Sequence, residues 1–468
     1  MAKQRAQEST IELLARAIRS VHADAVSQAA IEQAKLLLLD TIGCGFAGRR
    51  EPAAQATLRA MPDSPGSCAV IGQAARTGMT EAVLLNGVLI RVLDLNDYII
   101  GESHGEPESG GHPSDNIPVA LAVGATRQRS GREILAAIVL GYELYARLQQ
   151  AMDRSGPWDG VTVSGLVAPA IAGRLMGLSE QHLSHALALG AVRAATPSIV
   201  RTGDISAAKS LANALVAQSG VQSALLAEHG ATGPLAVLDD ERGLRDVFSR
   251  AAPSSLIAPF PADGAIMRAH VKTYPCINTG QSAVAAALKL HAMLNGNASS
   301  LSRIEVTMAD YKVTKRHQDD PDRRNPMSRE AADHSFPFIV AVALLDGRFG
   351  AEQFEGERWR DETVTGLMSK IVLRRDAAWN ARAPGSYPCA IRAIDAEGTE
   401  QQVEVPYPPG YSQRGLDADI VLDKFNGVTD SVLSRAERAR IVDTVMEFDQ
   451  GPSAERLNAA IAIEGQSK

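Results

Sequence analysis

The feature that most constrains this chain is a set of long segments, within roughly its first 260 residues, that are apolar on more than one helical face. "TEAVLLNGVLIRVLDLND", "GREILAAIVLGYELYARLQQAM" and "SAAKSLANALVAQSGVQSALLAEHG" leave no polar side wide enough to face water, so each reads as a helix buried among helices. "STIELLARAIRS" opens with Ser9 three residues before Glu12, a capping-box spacing, and "AAIEQAKLLLLDTIGCGFAG" is expected to stop at its glycines. One all-helical domain over residues 1–265 follows.

Near residue 266 the period changes. "SRIEVTMAD" turns Ile304, Val306 and Met308 to one side, "KIVLRRD" reads as a second strand, and "CAIRAIDAEGTEQQVEVPYP" as two strands turning at Glu397 and Gly398. With helical stretches at 280–296 and 329–346, this predicts a smaller α+β domain over 266–408. Helices return from about 415, so residues 409–468 are expected to rejoin the first domain, and the polar tail 464–468 to fray. The fold class is mainly α: a large all-helical domain with a smaller inserted α+β domain.

Bulk properties narrow the function. The 468 residues carry 47 basic and 54 acidic side chains, a net charge of −7 without long like-charge blocks, so neither nucleic acid nor a membrane surface is an expected partner. No apolar run approaches the roughly 20 residues of a spanning helix, and the polar start "MAKQRAQEST" has no signal-peptide core, which predicts a cytoplasmic protein. Cys44, Cys68, Cys276 and Cys389 form no CxxC pair and are expected to be isolated reduced thiols. No glycine-rich loop follows a predicted strand in the GxGxxG or GxxxxGK[ST] manner, which disfavours nucleotide cofactors.

The chemistry-bearing candidates lie in short blocks. In "SGGHPSDNIPVALAVGA", Gly110 and Gly111 free the backbone, Ser114 or Asp115 is placed to cap, and Pro118 suits a first turn. His112 then stands ahead of a helix amino terminus, where extra positive charge is disfavoured; it reads either as a neutral base or as a residue that closes the loop. Asp94, Asn96 and Asp97 end a helix whose dipole opposes carboxylates, so they either meet a cation or exit into water. Their spacing to His112 matches no standard metal pattern, and no metal or other cofactor is expected. Lys209, among small residues, and Lys272, at the predicted domain junction, are candidates to bind a carboxylate or carry a proton. Asp333 and His334 read first as fixing the entry of the helix that Ser335 caps.

Taken together, "RVLDLNDY", "GHPSDNIPVALAV", "DISAAKS…GVQSALLAEHGATGP", "VKTYPCINTGQSAVAAAL" and "REAADHSFPFIVAVALLDG" resemble the MmgE/PrpD family, in family order from about residue 10 to 450. The resemblance implies 2-methylcitrate dehydratase, cis-aconitate decarboxylase or iminodisuccinate epimerase chemistry. It also implies a homodimer, a lid formed by the smaller domain, and a metal-free site in the cleft between domains. Carried over by position, Asp94, His112, Lys209 and Lys272 are the expected catalytic residues. Tyr98, Asn96, Asp97, Ser114, Tyr274 and Thr279 are the expected substrate-binding wall. The chain departs from the family where "WDGVT" places Gly160 and "INTG" places Thr279 instead of histidines, and where Tyr98 and Phe338 replace threonine and tyrosine.

The expected reaction removes a proton next to a carboxylate of a small di- or tricarboxylic acid, with His112 as base or acid, the lysines neutralising the enolate-like charge and Asp94 orienting them. A dehydratase-like lyase is the first expectation. Epimerisation or decarboxylation in the same pocket is the alternative, and a non-catalytic carboxylate-binding homologue is a further one.

Overall fold

The computed structural model describes residues 8–61, 64–103, 106–203, 205–412, 415–451 and 454–463. The tail at 464–468 and the first seven residues lie outside them.

Helices α1 (Thr10–Arg19), α2 (Gln28–Gly48), α3 (Pro52–Ala60), α4 (Met79–Arg91), α5 (Ile117–Thr126), α6 (Gly131–Ala151), α7 (Ser164–Met176), α8 (Glu180–Arg193) and α9 (Ala208–Glu228) build the first part of the chain. Ser9 caps α1 in a full capping box with Glu12, and Ser130 does the same for α6 with Glu133. The glycines of α2 do more than stop it: a side chain at Gly45 would strike Ile71, and one at Gly48 the Leu89 carbonyl, so they let neighbouring segments approach closely inside the helix.

This region is not wholly helical. Cys68–Ala69 (β1) pairs with Arg76–Thr77 (β2), and Ile99–Ser103 (β3) with Glu106–Gly111 (β4), both antiparallel. The second hairpin escapes a pattern reading because its segment, "IIGESHGEPESGG", lacks apolar alternation. It delivers the chain to His112 through Gly111, whose φ of +84° and tight approach to the Tyr145 hydroxyl exclude a side chain.

After a single turn, α10 (Pro253–Leu256), come α11 (Gln281–Met293), β5 (Leu301–Ala309), α12 (Lys312–Asp319), α13 (Arg329–Ala332), α14 (Phe336–Asp346), α15 (Glu362–Met368), β6 (Ile371–Asp376), β7 (Cys389–Asp395) and β8 (Glu400–Val405). The strands form one mixed sheet in the order β6-β5-β7-β8; β5 and β6 run parallel and the other pairs antiparallel. Ile304, Val306 and Met308 of β5 all face the core, as the alternation predicts, and Gly398 makes the β7–β8 turn at φ +84°. The chain closes with α16 (Ala418–Thr429), α17 (Arg435–Met446) and α18 (Ala454–Ile461).

Two large hydrophobic cores result, beside a small cluster around Tyr311, Trp379 and Tyr387. One gathers side chains from Ile11 to Val271 together with Val421 to Ile461; the other gathers side chains from Cys276 to Val405. The chain crosses from the first to the second at residues 271–276, and Lys272 stands on that crossing.

Candidate active site

Helix α4 ends at Arg91, and the acidic run continues beyond it as a tight turn in which Asp94 takes a φ of +51°. Aspartate tolerates this left-handed backbone better than most side chains, and here it turns the carboxylate into a buried pocket of cations. Arg91 Nη1 donates to Asp94 Oδ1 at 2.6 Å, Lys272 Nζ to the same oxygen at 2.6 Å and to the Asp94 carbonyl at 2.8 Å, and Lys209 Nζ to Oδ2 at 3.2 Å. Burial alone would raise this carboxyl, but the three cations outweigh it and hold Asp94 well below the usual carboxylate range. For Asp94, of the two local readings, meeting a cation rather than water is the one realised.

Backbone pairing sets the meeting. Tyr98 and His270 exchange two N–H···O bonds of 2.8 Å, which pins the crossing segment to the acidic turn and lays Lys272 against Asp94.

Lys209 sits in the first turn of α9, where the dipole disfavours a cation, and is compensated by Asp94 and by Asp333, to whose Oδ1 it donates at 3.0 Å. Asp333 also accepts from Arg329 at 3.0 Å and from His334 Nδ1. Asp94, Asp333 and His334 offer one ligand atom each within 4.8 Å of one another, the donor set of a small cation site. The Lys209 ammonium stands among them, so a metal ion would have to displace it.

The ring of His112 is 14 % exposed, opening on a cavity of about 590 Å³. Its Nδ1 lies 2.6 Å from the Asp97 carbonyl, an atom that only accepts, so Nδ1 carries the proton and Nε2 keeps its lone pair, 3.7 Å from Asp94 Oδ1. Burial, then the positive charge of Arg91 and Lys272, drives the imidazole pKa well below its ordinary value. His334 resembles it: Nδ1 donates to Asp333, Nε2 lies 3.9 Å from Asp94 Oδ2, and burial with the Lys209 charge lowers its pKa to about 3. Two neutral imidazoles therefore flank one carboxylate.

The two lysines differ in what they have left to give. An ammonium has three donors. Lys209 spends its donors on Asp94 and Asp333, crowded by His334, and does not line the cavity; Lys272 spends two on Asp94 and does line it.

Asp94, His112 and Lys272 thus meet at the cavity, with Lys209 behind its wall. Tyr98, Asn96, Asp97, Ser114, Tyr274 and Thr279 do not line it; this corrects the expected binding wall. Tyr98 is buried against His270. Asn96 donates to Ser114 Oγ and Asp115 Oδ1 at 2.9 and 2.8 Å, so Ser114 and Asp115 brace the loop rather than cap a helix. Tyr274 packs against the second core, and Thr279 Oγ1 lies 2.8 Å from His317 Nε2. Phe338 packs on Phe354 in the second core, away from the cavity. Arg91, Asp115, His317, Arg323 and Arg154 do line it; "KRHQDDPDRR" and "DRSG" hide His317, Arg323 and Arg154 because they look like solvated charge on local grounds, and Asp115 reads there only as a helix cap.

Asp97 holds the loop from below, accepting from Tyr142 Oη at 2.8 Å and Ser114 N at 3.3 Å, and burial pushes its carboxyl up to about 7. The folded state then keeps a proton that the unfolded chain releases near pH 4, so stability falls as pH rises through 7. Between pH 5 and 8 the loss from this group is about 3 kcal/mol. Asp97→Asn is expected to flatten that slope in denaturant titrations, and an unchanged difference between the two pH values would contradict it.

Comparison with known proteins agrees with this architecture. Residues 12–256 match the MmgE/PrpD N-terminal domain and residues 274–448 the MmgE/PrpD C-terminal domain. The chain belongs to the MmgE/PrpD family. It is 26% identical to the 2-methylcitrate dehydratase of Salmonella typhimurium over 463 residues, covering 92% of this chain and 93% of that one. It is 27% identical to the 2-methylcitrate dehydratase of Cupriavidus necator, over 85% of both chains, and 24% identical to the cis-aconitate decarboxylase of Aspergillus terreus, over 94% of both.

Proposed function

We propose that the protein is a lyase that dehydrates a small di- or tricarboxylic acid related to 2-methylcitrate, without a metal ion. The observation that carries this reading is the free Nε2 of His112 in the cavity wall beside the Asp94–Lys272 pair. That nitrogen takes the proton from the carbon next to a carboxylate. Lys272, with one donor spare and its pKa lowered by burial against the pull of Asp94, is suited to meet the enediolate charge and to protonate the departing hydroxyl. The C–H electrons become the new C=C bond, and the hydroxyl leaves as water. Asp94 holds Lys272 and Arg91 in place; Lys209 holds Asp94 and Asp333 rather than the substrate.

The second core is proposed to act as a lid over the cavity, since His334, His317 and Arg323 reach the wall from its side of the crossing. Exposed Val192, Ile199, Leu215 and Leu226, on α8, α9 and the turn between them, support a homodimer built on that face. All four cysteines are free and buried, which supports a cytoplasmic setting. No helix among the described residues is long and apolar enough to cross a membrane.

A second reading, epimerisation, draws on the two imidazoles that flank Asp94, since removal and return of a proton on opposite faces needs two carriers. Incubating the protein with 2-methylcitrate, citrate and malate in heavy water separates the readings. Dehydration produces absorbance from a conjugated C=C bond; epimerisation incorporates deuterium without loss of water. No exchange and no product with any of these acids or with other di- and tricarboxylates would refute proton abstraction altogether.

A further inference from the structure

Gly160 lines the cavity, yet its φ is not positive and no turn demands a glycine there. What its missing side chain provides is room: a Cβ at 160 would stand 3.3 Å from Arg154 Nη1 and from Gln149 Nε2, and 3.4 Å from Arg154 Nη2. The buried Gln149 explains how the guanidinium is aimed. Its Nε2 donates to the Gly160 carbonyl at 2.9 Å, which commits Oε1 to the other side, where it accepts from Arg154 Nη2.

A neutral amide is the only partner this guanidinium has among the described residues. Its Nε is buried with no hydrogen-bond partner, and no described carboxylate pairs with it. Two acids of the cavity wall are already engaged elsewhere: Asp159 accepts from Arg201 at 2.7 Å and from Val161 N at 3.0 Å, and Glu108 pairs with Arg250 at 2.9 Å; Glu106 accepts from the Lys312 N–H at 3.3 Å. A cation left uncompensated in a partly buried wall is costly unless an anion enters. Arg154 is also tied to the reacting end. Gln149 and the Tyr145 hydroxyl both close on Gly111, and that hydroxyl accepts from His112 N at 3.2 Å.

We propose that Arg154 is a specificity-determining residue, binding a second carboxylate of the substrate while Lys272 meets the one next to the reacting carbon. The inference rests on the proton-abstraction reading above and adds that a monocarboxylate is a poor substrate. The fork geometry of a guanidinium matches a carboxylate with two parallel bonds, which an ammonium cannot reproduce.

The probes are propane-1,2,3-tricarboxylate and its terminal monoamide, which has the same shape and one charge less, measured by calorimetry on the full chain. The wild type is expected to bind the triacid at least about tenfold more tightly than the amide. Arg154→Gln is expected to weaken the triacid about 10–100-fold, the range of a charge-assisted pair, and the amide by less than about threefold. Arg154→Lys should fall between them, which separates loss of the charge from loss of the fold. Equal weakening of both probes, a preference that survives in Arg154→Gln, or no binding of the triacid by the wild type would each overturn the assignment. Deuterium exchange by the wild type tests the underlying reading separately: exchange with an unaffected Arg154→Gln removes the anchor alone, whereas no exchange removes the reading on which it rests.

Discussion

His112→Ala is expected to lower kcat by about 10²–10⁴-fold, the range in which a positioned proton carrier contributes, with little change in stability. Among the described residues the ring's hydrogen bond is the Nδ1 contact to the Asp97 carbonyl, and the ring belongs to none of the hydrophobic cores. Removing it leaves that carbonyl beside the cavity, where water reaches it. The Asp94–Arg91–Lys272 cluster stays intact, so substrate affinity should change far less than turnover. The wild-type pH profile supplies a second readout. Because the imidazole pKa is driven well below 6.5, the base stays neutral across the physiological range, and kcat/KM should not fall until the pH is well under 6.5. An acid limb centred at or above 6.5, or full turnover in a folded His112→Ala protein, would remove this imidazole from the chemistry.

Lys209→Met is expected to cost about 3–5 kcal/mol of stability, the usual result of breaking a buried ion pair by deleting one partner. The ammonium is the bridge between Asp94 and Asp333, which are contributed from either side of the crossing between the cores. Without it both carboxylates keep other cations, Arg91 and Lys272 for the first and Arg329 for the second, so the protein should still fold. Lys209→Met should therefore lower the midpoint of a denaturant titration and also reduce activity by loosening Asp94. Lys272→Met provides the contrast, with a larger loss of turnover for its loss of stability. If the two variants lost stability and turnover in the same proportion, the division of roles between the lysines would be wrong.

His334 shows where local reading reaches its limit. Its neighbour Asp333 and the cap at Ser335 suggest a helix entry, and Ser335 does accept from Phe338 N at 3.3 Å. The same turn nevertheless puts the imidazole on the cavity wall, since α13 ends at Ala332 and α14 begins at Phe336, leaving His334 between two helices that bend around it. Tyr98 errs in the other direction. Its place beside the acidic run points to the substrate-binding wall, but the β-bridge to His270 turns the ring into the protein, where burial raises the pKa of its phenol. Gly160 is read as a lost imidazole in a linear sequence, whereas the space it opens is filled by a guanidinium six residues upstream.

The long helices, the β5 alternation, the Ser9–Glu12 capping box and the change of period near residue 266 are legible in the amino-acid sequence, because each depends on contacts within a few residues along the chain. The sequence also placed Asp94, His112, Lys209 and Lys272 among the chemically relevant side chains. What each of them can do is set by contacts between distant segments. Asp94 and Lys272 are 178 residues apart, and Asp94 and Lys209 are 115 apart, so their meeting depends on how the two cores are joined. Protonation follows the same rule: the field at a buried group is set by charges from distant segments in a medium that screens them poorly, and no local window contains those charges.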